Sequence, residues 1–423
     1  MALPLIDSES PETGMNRDAD VFDIAVTGIG LVTPLGLGCQ INLERLLSGD
    51  SAVKDEIPAG VEASNSIASA RCPDFDLGTL LRFPKSTKYM SRPVQLAMRA
   101  AIEAFQSSAL DRSQLDPYRL AVYTASGQTG LDYKEFSRAL EVAWTPDHEP
   151  DFRHLGGVPT KLIDPYFSLR TLANGGIGLL CAEFEAKGPS SNFVHSDTAA
   201  ALALQAACHD LSEDRCDAAI VGGFDCLLYP TALFALSEAG ILAGEAAQFP
   251  HMIPAEGAAF FVMERRSDAR SRGADIIGEI LSIECSVEPC FRDSGQAAAL
   301  GIPRLLRRLP PSCRSFQFAV SPGTAPRGSV MDAVGQGPTV SCMTRLTGYL
   351  GTATAAVEFA LGLLSAREGF VPSPVNAAES AASPIEGNDP TGVFFSGSWS
   401  GQIAAIVARA SSAERKVSSA CVP

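Results

Sequence analysis

Basic residues are scarce in this chain relative to acidic ones: 33 Lys and Arg stand against 48 Asp and Glu, a formal net charge of −15. That imbalance argues against nucleic acid or an anionic membrane surface as the main partner, because both require a field of the opposite sign. The chain also lacks any CxxC pair. Its 11 cysteines are scattered through 423 residues without a short-chain disulfide framework, so they read as reduced thiols in a cytoplasmic protein, most of them small core residues. No uninterrupted apolar run reaches the roughly 18 residues that a bilayer crossing needs, since Asp, Glu, Arg or Gly breaks every candidate. Residues 1–20 carry no basic region followed by an apolar one, which argues against a secretory signal and for a disordered leader.

What is abundant is apolar sequence, at 46% of residues, enough to bury a large core over two or three domain-sized units. Phe22 to Gly38 reads FDIAVTGIGLVTPLGLG, an apolar β-rich run closed by glycines and followed by INLERLLSG at helical spacing. The same rhythm recurs at YRLAVYTASG (Tyr118 to Gly127), DAAIVGGFD (Asp217 to Asp225) and EGAAFFVME (Glu256 to Glu264), with Ala- and Leu-rich helices between. A second progression starts at IIGEILSIECSV and continues through FQFAVS, the helix TATAAVEFALGLLSAREG and the strand pair TGVFFSGSWSGQIAAIVARA. Strands written as continuous apolar runs are buried on both faces, so an α/β fold with two related halves is expected, 21–275 and 276–410, with a flexible tail at 411–423. Glu141 to Ile163, with its prolines, Trp144, His148 and His154, reads as an excursion from this framework.

One junction bears on chemistry. GPSSNFVHSDT (Gly188 to Thr198) runs straight into AAALALQAACHDL, giving a strand, a tight turn and a helix start. A nucleophile at such a turn is activated by the helix N-terminus, and adjacent backbone N–H groups hold the developing oxyanion. The residue there is Asp197, which cannot do thiolate chemistry; it is either a functional carboxylate or a helix cap, a position Asp favours. His195 is either its acid–base partner or a buried, satisfied histidine, and Cys226 after the glycine turn is either core or a displaced nucleophile. In GQTGLDYKEFSRALEVAW (Gly127 to Trp144) the bulky residues at helical spacing pack a helix unless something larger needs them.

Several blocks, in order, resemble the β-ketoacyl synthases of the condensing-enzyme class: VTGIGLVTPLG, GPSSNFVHSDT, DAAIVGGFDCLLYP, PAEGAAFFVMERRSDARSRGADIIGEI and LTGYLGTATAAVEFALGLLSAREGFVPSPVN. The resemblance spans roughly Phe22 to Ala410 and implies a duplicated thiolase-like fold layered α-β-α-β-α. The family uses a cysteine nucleophile, two histidines and a supporting lysine. By the resemblance those positions fall on Asp197, Pro322, Tyr349 and Thr344, and the glycine-rich loop near the C-terminus carries Ser398 and Trp399. Proline offers no donor to a carbonyl, and a tyrosine hydroxyl is no substitute for an imidazole. No condensation is expected from this chain alone, and no metal or cofactor.

This pattern is similar to one branch of the family, the chain length factor or ketosynthase β subunit of type II polyketide synthases. That branch usually has glutamine where Asp197 stands. The likeness implies a heterodimer with an active ketosynthase α subunit, an acyl carrier protein as second partner, and a polyketide tunnel at the subunit interface. Gln128, Leu131, Tyr133 and Phe136 are its candidate lining. Two other readings stay open: a stand-alone thioester hydrolase or acyltransferase using Asp197 with His195, and a homodimer that binds carrier protein without catalysis.

Overall fold

The computed structural model describes residues 21–412 apart from 57–66, 128–132, 145–150, 158, 195, 241, 243–251, 289–293, 322–326, 336, 373–381, 386 and 398–400. Ten principal strands build its central sheet. They are β1 (Ile24–Thr33), β2 (Leu120–Ser126), β3 (Ser190–Phe193), β4 (Ala218–Cys226), β5 (Glu256–Arg265), β6 (Gly278–Val287), β7 (Phe318–Val320), β8 (Thr339–Ser341), β9 (Thr391–Gly397) and β10 (Gln402–Ala410). Their order is β8-β7-β9-β10-β6-β1-β5-β4-β2-β3. Read outward from the middle, each strand of one half has its counterpart five numbers later in the other.

The pairing directions repeat as well. β2 is parallel to β3 and β4, as β7 is to β8 and β9, while β5 and β10 each run antiparallel to both their neighbours within their half. The halves join where β1 meets β6 through Ile24↔Ile280, Ala25↔Glu279 and Val26↔Gly278. A bulge between Val26 and Gly28 on β1 marks where this contact ends, since a bulge bends its strand and increases the local twist. Beyond it the sheet divides around a layer of helices.

That layer consists of α3 (Ala199–Ser212) and α6 (Thr354–Arg367); other helices are α1 (Arg92–Ser107), α2 (Gly175–Phe184), α4 (Ser294–Arg308) and α5 (Arg327–Val334). α1 packs on the outer face of β1, β4 and β5, and α4 on the outer face of β6, β9 and β10. α3 and α6 touch each other and the inner faces of both sheet halves, which completes the α-β-α-β-α order. α6 is buried on nearly every face, as its sequence requires: a helix apolar all round has no solvent side. The runs read as strands are fully buried in β1, β2 and β4. The antiparallel pairs that flank the parallel ones in each half are not visible in those runs, because a strand buried on both faces looks the same in either direction.

Phe359 of α6 stitches the halves together. It has no exposed surface, and its ring lies 5.1 Å from Phe261 of β5 and 5.0 Å, edge-on, from Phe394 of β9. Phe359→Ala therefore removes contacts on both sides at once and is expected to cost about 3–5 kcal/mol, measured by urea unfolding of the two proteins. Phe359→Leu should cost clearly less.

Candidate functional site

The turn before α3 and the turn before α6 meet in the central layer. On the first, Ser196 hydrogen-bonds to Gln402 of β10, and Thr198 Oγ1 reaches the same Gln402 oxygen at 3.5 Å, so the turn is pinned to the second sheet half. On the second, Tyr349 is held as an extended residue: its N–H donates to the Ile253 carbonyl at 2.7 Å and its carbonyl accepts from Ala255 N–H at 2.9 Å. These fixings aim Tyr349 Oη at Asp197, to which it donates a hydrogen bond. Asp197 and Tyr349 are both almost wholly buried, and among the described residues Asp197 Oδ2 has no partner.

Asp197 does not cap α3. Its Oδ1 is taken by Tyr349, and the residue flanking the helix is Thr198, whose side chain makes no cap hydrogen bond. The carboxyl faces two more buried acids. Asp225, at the end of β4, accepts N–H bonds from Cys226 at 2.8 Å and Thr352 at 3.0 Å, and the Thr352 hydroxyl at 3.2 Å. Glu358, one turn into α6, is buried, and among the described residues neither carboxyl oxygen has a partner. Among the described residues no Lys or Arg pairs with any of the three.

Burial without a countercharge raises carboxyl pKa values, because the charged form loses its hydration. Burial pushes Asp197 up to about 7; the Tyr349 hydrogen bond opposes the rise and the charge of Asp225 adds to it. Burial brings Asp225 to about 6 against the pull of its Thr352 and Cys226 N–H donors. Glu358 is raised well above the usual carboxylate range by burial and then by Asp197, and the Tyr349 phenol is raised by burial and Asp197.

The other residues singled out in the sequence are distributed as follows. Thr344 is buried beside Cys342, with Oγ1 and Sγ 3.2 Å apart, and the Cys342 thiol is raised by burial and by Glu358. Cys226 is core: its thiol lies 3.4 Å from Glu256 Oε2, a carboxylate gripped by Arg92 at 2.8 and 3.1 Å, and burial followed by Glu256 holds the thiol protonated. Pro322, His195, Ser398, Trp399, Gln128 and Leu131 lie outside the described residues. Tyr133 and Phe136 fall on the helix Tyr133–Ala143. Sequence reading missed Asp225 and Glu358. Each carried a signal: Glu358 is the lone charge before the last turn of an apolar helix, and Asp225 directly follows a Gly-Gly-Phe run in a buried strand.

Residues 22–269, more than half of the chain, match the family model for the β-ketoacyl synthase N-terminal domain. The chain belongs to the β-ketoacyl synthase family. Within it, the chain is 24% identical over 391 residues to 3-oxoacyl-[acyl-carrier-protein] synthase 2 of Coxiella burnetii, covering 86% of this chain and 90% of that one. It is 26% identical over 392 residues to the tetracenomycin polyketide synthase ketoacyl synthase β subunit of Streptomyces glaucescens, covering 85% and 89%. Among solved structures, the ishigamide ketosynthase/chain length factor superposes with a TM-score of 0.77 at 20% identity, over 93% of this chain and 100% of that one. A type II polyketide synthase acyl carrier protein complexed with its ketosynthase, AntDE:AntF, gives 0.74 at 18%, over 92% and 100%. These likenesses confirm the thiolase-like ketosynthase fold.

Two outcomes follow for this β-ketoacyl synthase relative. A carboxyl whose folded pKa is raised from its ordinary 3.8 to about 7 favours the folded state fully below pH 4 or so, and that contribution is lost as pH rises through 7. Wild-type stability should therefore fall by a few kcal/mol between pH 5 and 8, with Asp225 and Glu358, raised likewise, adding to the slope; Asp197→Asn, which cannot ionise, should remove its own share and leave theirs in unfolding curves taken across the range. Tyr349→Phe leaves Asp197 Oδ1 buried without its donor and should cost about 1–3 kcal/mol at pH 5, read by the same assay.

Proposed function

We propose that this chain is a catalytically silent ketosynthase-like subunit, a chain length factor, that heterodimerises with an active ketosynthase in a type II polyketide synthase and sets polyketide length. The observation that carries this reading is the Asp197–Tyr349 contact. By the family resemblance these two residues stand where a cysteine and a histidine would act on a thioester, and here they bond to each other in a buried space. Neither the thiolate nor the imidazole donor that condensation needs is supplied by that pair.

Two further features support the partner. β3 is the last strand of the sheet and pairs with β2 alone among the described strands, so it offers an unpaired edge to a second chain. Large apolar side chains are exposed near it in sequence: Leu162, Leu169, Leu172 and Val194 are each about a third to a half uncovered. The likeness to a ketosynthase β subunit and to a ketosynthase/chain length factor structure points to a ketosynthase α subunit as that chain, with acyl carrier protein delivering the substrate to it. Gln128, Leu131, Tyr133 and Phe136 are the proposed lining of the interface tunnel.

Co-expression with an active ketosynthase of the same pathway should yield a one-to-one complex that makes polyketide only when both chains and carrier protein are present. Leu131→Ala or Phe136→Ala should lengthen the product. A ketosynthase that makes the same product at the same rate without this chain refutes the reading. Turnover of an acyl thioester by the isolated chain, abolished by Asp197→Asn, would establish the hydrolase or acyltransferase alternative instead.

A further inference from the structure

The groups that meet at Asp197 are not held with equal firmness. Asp225 belongs to a strand buried along its whole length and has three donors, Cys226 N–H, Thr352 N–H and the Thr352 hydroxyl. Glu358 is carried by α6, whose residues on either side of it are buried too. Tyr349 is tied into the backbone at both its N–H and its carbonyl. Asp197, by contrast, sits on the short turn Ser196–Thr198, which is fastened to the second sheet half and to the turn before α6 by side chains. Those fastenings are the Asp197–Tyr349 bond and two hydroxyls, of Ser196 and Thr198, that share the single oxygen Gln402 Oε1. Its backbone carbonyls face forward into α3, where Ser196 accepts from Ala199 N–H and Thr198 from Leu202 N–H.

This turn is also the part of the site nearest to solvent. The chain passes from exposed Val194 to half-buried Ser196 to buried Asp197. Just upstream is β3, which pairs with β2 alone among the described strands. A carboxylate formed at the cluster meets no paired cation, and a second carboxylate beside it adds repulsion to the lost hydration. Relief requires water, and the element free to move and admit it is the turn.

We propose that the turn Ser196–Thr198 is a proton-operated latch, closed on Tyr349 and Gln402 while the acid cluster is protonated and opened, with the edge strand β3 loosened behind it, when a carboxyl proton leaves to solvent. The carboxyls operate it, because burial keeps the protons on the other titratable groups that face them: the Tyr349 phenol, the Cys226 thiol beside Asp225 and the Cys342 thiol beside Glu358. Arg345 bears on Cys342 and pairs with none of the three acids. The latch therefore opens as pH rises, and it links the free edge of the sheet to the protonation state of the core.

The test is hydrogen–deuterium exchange of the full chain at pH 6 and pH 8, corrected for the intrinsic pH dependence of amide exchange. Peptides covering 190–202 should open about tenfold more readily at pH 8, the factor that follows when a carboxyl held at about 7 in the closed turn returns to its ordinary 3.8 in the open one. The opening is local, so at pH 8 this segment exchanges well before α4. Asp197→Asn keeps an oxygen for Tyr349 but cannot ionise, and should remove most of the pH difference. Gln402→Ala deletes the shared acceptor and should open the segment at pH 6 as well, a readout that serves if Asp197→Asn does not fold. His195 precedes the turn, lies outside the described residues and has a side chain that ordinarily titrates at about 6.5, so His195→Gln should leave the difference intact. The latch is overturned by exchange of 190–202 in step with α4, by a pH difference that survives Asp197→Asn or vanishes in His195→Gln, or by a Gln402→Ala segment still closed at pH 6.

Discussion

The centre of the molecule depends on a single hydrogen bond made across the two halves of a duplicated sheet. Asp197 precedes α3 and Tyr349 precedes the turn into α6, so the bond from Tyr349 to Asp197 ties together the N-terminal ends of two buried helices. A lone carboxyl in such a place is costly unless it is neutral or hydrogen-bonded. Here it has both remedies: one phenolic donor and a pKa lifted into the neutral range. The helix N-termini add a favourable potential, but it falls short of offsetting the loss of water, or the carboxyl would titrate where a free one does.

The neighbours sharpen the constraint. Asp225 and Glu358 raise the electrostatic cost of ionising Asp197, and with no basic residue paired to them among the described residues, the three groups compete for protons in one low-dielectric space. Asp225 is the member best provided with donors, and its pKa of about 6 lies below the value of about 7 for Asp197. Glu358 has no donor among the described residues and is raised well above the usual carboxylate range. The ordering follows hydrogen-bond supply, since all three are buried alike.

Much of this was legible in the sequence, and the illegible part has a physical cause. Continuous apolar runs marked β1, β2, β4, β5, β6 and β10, and the repeated rhythm announced the duplication; each of those elements is specified by its own residues. The elbow at Asp197 was also visible, because strand, turn and helix signals abut there. What could not be read was the partner of the carboxyl. Asp is a good helix cap by local propensity, and nothing within a few residues of position 197 indicates that a tyrosine 152 positions away will claim its oxygen. The acid cluster was hidden for the same reason: Asp225 and Glu358 sit in elements whose apolar majority set the reading, and only the packing of α6 against both sheet halves brings them together.

A carboxyl with a pKa near 7 is, taken by itself, what a general base should have, and the alternative of an aspartate-dependent hydrolase deserves its hearing on that ground. The geometry weighs against it. A base must reach the proton it removes, yet Asp197 is 3% exposed and spends Oδ1 on Tyr349. Thioester hydrolysis also develops negative charge on the carbonyl oxygen, which catalysts meet with aligned donors. Among the described residues the acidic neighbours of Asp197 are Asp225 and Glu358, and no Lys or Arg beside them supplies a cation to meet that charge. The same pKa is what burial beside other acids produces with no catalytic purpose. The Asp197–Tyr349 pair lies buried among acids, and side chains that can meet another molecule lie instead near the sheet edge at β3.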